Sequence, residues 1–211
     1  MSFTYLDAIK IMHDVRYGTA TNVADAFSVA DVQATLLDDR TLVLIGATTL
    51  RDWLDYGVNV EWGGAASCGF PVVPGDSGTL YHGGFLEYAQ YVFCYAKAAK
   101  PKFIIGHSLG GAAAQIVGAS LGVPALTFGS PAVTSTSERL DGEGWVQNVF
   151  RPDDPIYNVL LPFGFRLMGS QDPVAMVPSR PGGFSHTIPA YLETLQSKAN
   201  DGDAKRTWPR S

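Results

Sequence analysis

Ser108 is the residue around which a reactive constellation can be assembled. It stands in FIIGHSLGG, Phe103 to Gly111, where an apolar run meets Gly106 and Gly110 follows the serine at spacing two. A strand that enters a G-x-S-x-G turn and leaves it as a small-residue helix puts the serine hydroxyl on a tight, exposed corner. The glycines leave room that any Cβ two residues away would fill, and the helix amino end behind the serine favours developing negative charge. Such a hydroxyl can attack a carbonyl carbon, provided a base takes its proton.

The chain has four histidines, and only His186 follows Ser108. In a strand-turn-helix site of this kind the chain order is serine, acid, histidine, so His186 is the expected base. His13 falls in the first helix, His82 precedes the nucleophile strand, and His107 points away from Oγ as the neighbour of Ser108; all three read as structural. Between Ser108 and His186 the acidic candidates are Glu138, Asp141, Glu143, Asp153, Asp154 and Asp172. The first three sit in SERLDGEG, which reads as a solvated surface segment. Asp153 and Asp154 follow the strand WVQNVF, at the carboxyl edge where α/β sheets build sites. Asp172 lies in FRLMGSQDPVAMVP, which also reads as a strand end followed by a Pro-bounded turn. Asp154, Asp172 and Asp153 therefore all stand as acids able to orient the imidazole and stabilise the imidazolium. Two backbone N–H groups are needed for the oxyanion: that of Leu109, and one from the loop after LVLIG, which begins at Ala47.

The elements that must position these groups are legible in the apolar pattern. SVADVQATLL, a turn at Asp38-Asp39-Arg40 and TLVLIG read as a hairpin whose second strand is central and buried. Leu50, Trp53 and Leu54 share one face of a short helix that Gly57 ends. A Gly/Pro-rich loop spans Gly63 to Gly78. Phe85, Ala89, Val92, Phe93 and Ala96 mark an amphipathic helix that stops before Pro101. Then come the strand KFIIG, a helix over Leu109 to Leu121, the strands PALTFG and WVQNVF, and a closing helix in HTIPAYLETLQSKA interrupted near its start by Pro189. Strands alternating with helices predict a mostly parallel sheet covered on both faces.

At 211 residues the chain suits one domain over 1–211, with a flexible tail from 199. A net charge of −5 argues against nucleic acid or an anionic membrane as an electrostatically held partner. Leu109 to Leu126 carries Gln115 and Pro124 and reads as a buried helix plus a strand, so no stable membrane span is expected. The amino terminus lacks the apolar stretch of a signal peptide. It is read as intact, which makes the cytoplasm the default location and secretion the alternative. Cys68 and Cys94 have no metal-ligand spacing; a bridge between them is geometrically open, and otherwise they are small hydrophobes. The chemistry needs neither metal nor organic cofactor.

Several separated segments together resemble the class 3 lipases, the fungal triacylglycerol-lipase-like branch of the α/β-hydrolases, over roughly residues 28–196. GHSLGG has the family's nucleophile form, IGATTLRDWL is similar to its strand end and lid, and YHGGFLEYA to its His-x-Gly-Phe segment. FGSPAV and HTIPAYLETL resemble its Phe-Gly-Ser-Pro strand and its catalytic-histidine helix. The resemblance implies an α/β-hydrolase fold, an esterase acting on acylglycerols or other lipid esters, a lipid–water interface, and a short lid helix carrying Leu50, Trp53 and Leu54. A surface helix packed permanently on the core is the other reading of that stripe.

The resemblance sets Asp154 in RPDDPIYNVLLP at the family's acid position, while DPVAMVP around Asp172 matches the acid motif better letter for letter. Ile45 replaces the family's arginine, and Ala47 replaces its serine or threonine, leaving a backbone donor without a hydroxyl. Phospholipid or galactolipid acyl hydrolysis by the same residues is a second activity, disfavoured for anionic phospholipids by the lack of a basic patch near the lid. A silent hydrolase fold kept as an interaction module is a third reading, and the retained serine, acid and histidine set counts against it.

Overall fold

The apolar runs flanking the serine turn line up as the middle of one sheet. The computed structural model describes residues 1–29, 32–46, 72–177 and 185–209. In chain order the elements are β1 (Phe3–Thr4), α1 (Tyr5–Arg16), β2 (Val23–Val29), β3 (Val32–Leu37), β4 (Thr41–Ile45), β5 (Val72–Pro74), β6 (Leu80–His82) and α2 (Gly83–Ala99). They continue as β7 (Phe103–His107), α3 (Leu109–Leu121), β8 (Ala125–Phe128), β9 (Val146–Phe150), α4 (Pro155–Asn158), β10 (Ser170–Pro173), α5 (Ile188–Gln196), α6 (Asp201–Ala204) and β11 (Thr207–Trp208).

Among the described residues the main sheet has seven strands in the order β10-β9-β8-β7-β4-β3-β2. From β10 to β4 every pairing is parallel, and β3 and β2 complete the sheet antiparallel. β7 is buried along its whole length between β4 and β8, as its apolar run over residues 103–106 requires of a strand covered on both faces. Side chains alternate across it. Ile104 joins the core formed with α2 and α3, while Phe103 and Ile105 join the core formed with α1 and α5.

α3 is buried at every position from Leu109 to Ala119, because it is wedged between the sheet and α2 and its Ala/Gly-rich surface permits close approach. Gly122, at φ 63°, caps its end. Residues 109–126 are thus a core helix and a buried strand, and among the described residues no helix is long and apolar enough to cross a membrane.

Four expectations are corrected. SVADVQATLL is not one strand: its ends belong to β2 and β3, which pair with each other, and β2 is exposed at every position but Phe27. The end of the Gly/Pro-rich stretch forms a hairpin of β5 and β6. Pro189 does not interrupt the closing helix; it sits in the first turn of α5, where a missing N–H costs nothing. Residues 199–209 do not trail as a tail: α6 and β11 form there, β11 pairs with β1, and Trp208 is buried as an apolar anchor.

Candidate active site

The turn between β7 and α3 holds Ser108 at φ 56° and ψ −127°, a left-handed backbone conformation that a side chain rarely adopts. Close packing explains the glycines beside it. A Cβ on Gly106 would lie 2.5 Å from Gly110 O and 2.7 Å from the Ala114 Cβ, and one on Gly110 would collide with Leu44 O. Only with both positions bare can α3 fold back over β7 and β4.

His186 reaches this corner from the residues leading into α5, whose amino end is capped by the Thr187 hydroxyl accepting from Ala190 N–H. Its Nδ1 lies 2.9 Å from each carboxylate oxygen of Asp154, and its Nε2 lies 2.7 Å from Ser108 Oγ. A carboxylate accepts, so Nδ1 carries the proton and Nε2 is left to accept from the serine hydroxyl. The three side chains are nearly closed off from solvent, with Asp154 fully buried.

Asp154 follows β9 and caps α4: Oδ1 accepts from Ile156 N–H at 2.8 Å and from Tyr157 N–H at 3.4 Å. Oδ2 accepts the Tyr191 hydroxyl at 2.7 Å. Burial by itself pushes this carboxyl up. The hydrogen bond and charge of His186, joined by Tyr191 and the Ile156 N–H, outweigh it and hold Asp154 below the ordinary carboxylate value.

The other acids lie elsewhere. Asp172 sits on β10, where Oδ2 accepts the Tyr5 hydroxyl at 2.6 Å and pairs with Arg206 at 3.1 Å. Asp153 pairs with Arg151 at 2.8 Å. Glu143 is not on a solvated surface: it is buried and paired with Arg166 at 2.7 Å, which compensates its burial. The structure thus brings Ser108, His186 and Asp154 together and leaves Asp172 and Asp153 with other partners.

Sequence reasoning missed three residues around this group. Tyr191 donates to Asp154 and accepts from Arg151 N–H at 3.2 Å. A tyrosine on the same α5 face as Ile188 and Leu195 was the available signal, since a buried hydroxyl needs a partner. Arg151, itself buried, bonds Thr194 and ties α5 to the segment carrying Asp154. Gly129, at φ 57°, leaves space against the site: a Cβ there would meet Asp154 Oδ2 at 2.6 Å and His186 Nδ1 at 3.1 Å.

Leu109 begins α3 directly after Ser108, and its backbone N lies beside Gly46, where an added Cβ would come within 2.7 Å of it. The end of β4 therefore abuts the amino end of α3. Ala47, Leu50, Trp53, Leu54 and Cys68 lie outside the described residues, and with them the short lid helix; Cys94 is exposed on α2. Among the described residues no cluster of three or more His, Cys, Asp or Glu could hold a metal ion. A cavity of about 750 Å³ borders Phe93, Ile116, Ser120 and Leu140, at the far end of α3 from Ser108.

No protein-family model matches the chain, and no curated protein sequence matches it. Solved structures do. The chain is similar to a triacylglycerol lipase from Penicillium expansum at 15% identity and a TM-score of 0.53, over 82% of this chain and 81% of that one. It is also similar to the Lip2 lipase from Yarrowia lipolytica at 13% identity and a TM-score of 0.48, over 75% and 67% of the two chains. The likeness to the first is one of fold. With the mostly parallel sheet and helices on both faces, it shows the α/β-hydrolase fold that the sequence led one to expect.

Proposed function

We propose that this protein is a serine carboxylic-ester hydrolase of the lipase and esterase type, akin to the class 3 lipases, with Ser108, His186 and Asp154 as its triad. The observation that carries the reading is the 2.7 Å approach of Ser108 Oγ to His186 Nε2 at a strand-to-helix turn held at positive φ. Its substrates are acyl esters such as acylglycerols, met in solution or at a lipid–water interface, and the whole chain acts as one domain.

In this reading Ser108 Oγ bonds to the ester carbonyl carbon while its proton passes to His186 Nε2. The N–H groups of Leu109 and Ala47 hold the oxyanion. Asp154 keeps Nδ1 protonated and stabilises the imidazolium. Collapse of the tetrahedral adduct breaks the bond to the alcohol oxygen, which takes the proton from Nε2 as it leaves. Water then repeats the sequence on the acyl-enzyme, releasing the carboxylic acid and restoring Ser108. Leu50, Trp53 and Leu54 belong to a lid over the acyl-binding surface.

The test is hydrolysis of a chain-length series of nitrophenyl esters, below and above their solubility limits, by the parent and by Ser108→Ala. A fall of at least about 10³-fold in kcat with Ser108→Ala is expected. Parent activity no higher than that of Ser108→Ala across the series would overturn the reading.

A further inference from the structure

The residue just before the nucleophile touches the base. Strand alternation turns the His107 side chain to the α1 and α5 face, the side from which His186 arrives. There His107 Nε2 lies 2.8 Å from the backbone carbonyl of His186, and the two rings stack with centroids 4.8 Å apart and planes 28° from parallel. A carbonyl only accepts, so His107 Nε2 carries a proton and donates. His107 is 7% exposed, and burial first, then repulsion from the His186 ring, lowers its basicity to about 3, so its imidazole stays neutral at ordinary pH.

The geometry matters because the backbone at His186 has a difficult task. It lies just before the first turn of α5, yet its ring must meet Asp154 at one nitrogen and Ser108 at the other. Side-chain bonds at the two nitrogens set the rotation of the ring but not the position of the chain from which it hangs. A donor fixed on the nucleophile's own strand supplies that position, one residue away from Ser108 in sequence. Any displacement of the His186 backbone then has to break a buried hydrogen bond. Near-attack geometry is sensitive to shifts of about 1 Å, so a link of this kind acts on the rate more than on substrate affinity.

We infer that His107 is a positioning residue of this site: its Nε2–H holds the His186 backbone carbonyl and its ring backs the imidazole, so that one strand end registers both nucleophile and base. The inference rests on the proposed reading of Ser108 and His186 as a catalytic pair.

Three variants separate the two contacts. His107→Gln places an amide donor where Nε2 stands and loses the ring; His107→Asn is as polar but too short to reach; His107→Phe keeps a flat ring without the donor. With a soluble short-chain nitrophenyl ester, His107→Gln keeps kcat within about threefold of the parent. His107→Asn and His107→Phe lose about tenfold or more in kcat with KM unchanged. Thermal unfolding of each variant, measured alongside, confirms that the proteins compared are folded.

A second readout does not depend on turnover: the proton NMR signal of His186 Nδ1–H, identified by its loss in Asp154→Asn. Its exchange with solvent accelerates by at least about tenfold in His107→Phe and His107→Asn relative to His107→Gln. Equal kcat and equal exchange in the three variants would overturn the inference. So would a rate loss in His107→Gln matching that of His107→Phe. Absence of Ser108-dependent hydrolysis would instead defeat the proposed function, and the exchange comparison would still decide whether His107 holds His186.

Discussion

The Tyr191 hydroxyl donates to Asp154 Oδ2 at 2.7 Å while accepting the Arg151 N–H at 3.2 Å. It thereby bridges α5 to the end of β9 and holds the carboxylate oxygen that Ile156 N–H does not. Tyr191→Phe removes that hydroxyl, and with it one buried hydrogen bond to Asp154 and one from Arg151 N–H. The expected outcome is a kcat lowered about five- to tenfold and a stability loss of about 1–2 kcal/mol, read by ester hydrolysis and by denaturant unfolding.

Asp154 faces His186, whereas Asp172 faces Tyr5 and Arg206. Asp154→Asn should cost about 10⁴-fold in kcat by spoiling the tautomer and charge of His186. Asp172→Asn should leave kcat within about twofold while lowering the melting temperature, because it weakens the tie between α1, β10 and the residues before β11. Assaying both variants on one soluble ester is enough, and a larger rate loss with Asp172→Asn would reverse the assignment.

Gly106→Ala tests the packing behind the turn. The added methyl would meet Gly110 O at 2.5 Å and the Ala114 Cβ at 2.7 Å, and both belong to a helix buried on all sides, which has little room to retreat. A destabilisation of about 2–3 kcal/mol is expected, visible as a lower melting temperature or loss of soluble protein. Gly202→Ala, where nothing lies within 4 Å, serves as the control and should leave stability nearly unchanged.

Two buried imidazoles make stability fall in mild acid. Burial lowers His82 from its ordinary 6.5 to about 4, and burial together with the His186 ring lowers His107 from 6.5 to about 3. Below about pH 6.5 the unfolded chain takes up protons at both positions, while the folded chain does not until the pH nears those lowered values. Stability is therefore greatest above about 6.5 from these groups and declines as pH falls from there towards 4. His82→Phe, which keeps a ring against Phe85, should flatten this limb of the melting-temperature profile. An unchanged slope from pH 6.5 to 4 would count against a neutral buried His82.

The strained serine turn could be read from sequence because its physics is local. A strand, two glycines flanking a serine at spacing two and a small-residue helix specify a strained corner within nine residues, with no help from the rest of the chain. Chain order singled out His186 as the imidazole that lies 2.7 Å from Ser108 Oγ, and the parallel sheet was legible in the alternation of buried strands with helices. The acid was not. Asp153, Asp154 and Asp172 have similar local settings, and the choice among them depends on where α5 brings His186, 32 residues beyond Asp154 and 78 beyond Ser108. Tyr191, Arg151 and the second contact of His107 were hidden for the same reason, since a buried polar group shows its role only through partners that packing supplies. β2 escaped because an exposed edge strand has no buried face to mark it, and the final residues because the β1 pairing, the contact of Asp172 with Arg206 and the burial of Trp208 that anchor them arise only in the folded chain. Local pattern determines the elements and the strained serine corner; tertiary packing decides which distant charges and hydroxyls meet there, because burial makes each of them need a partner.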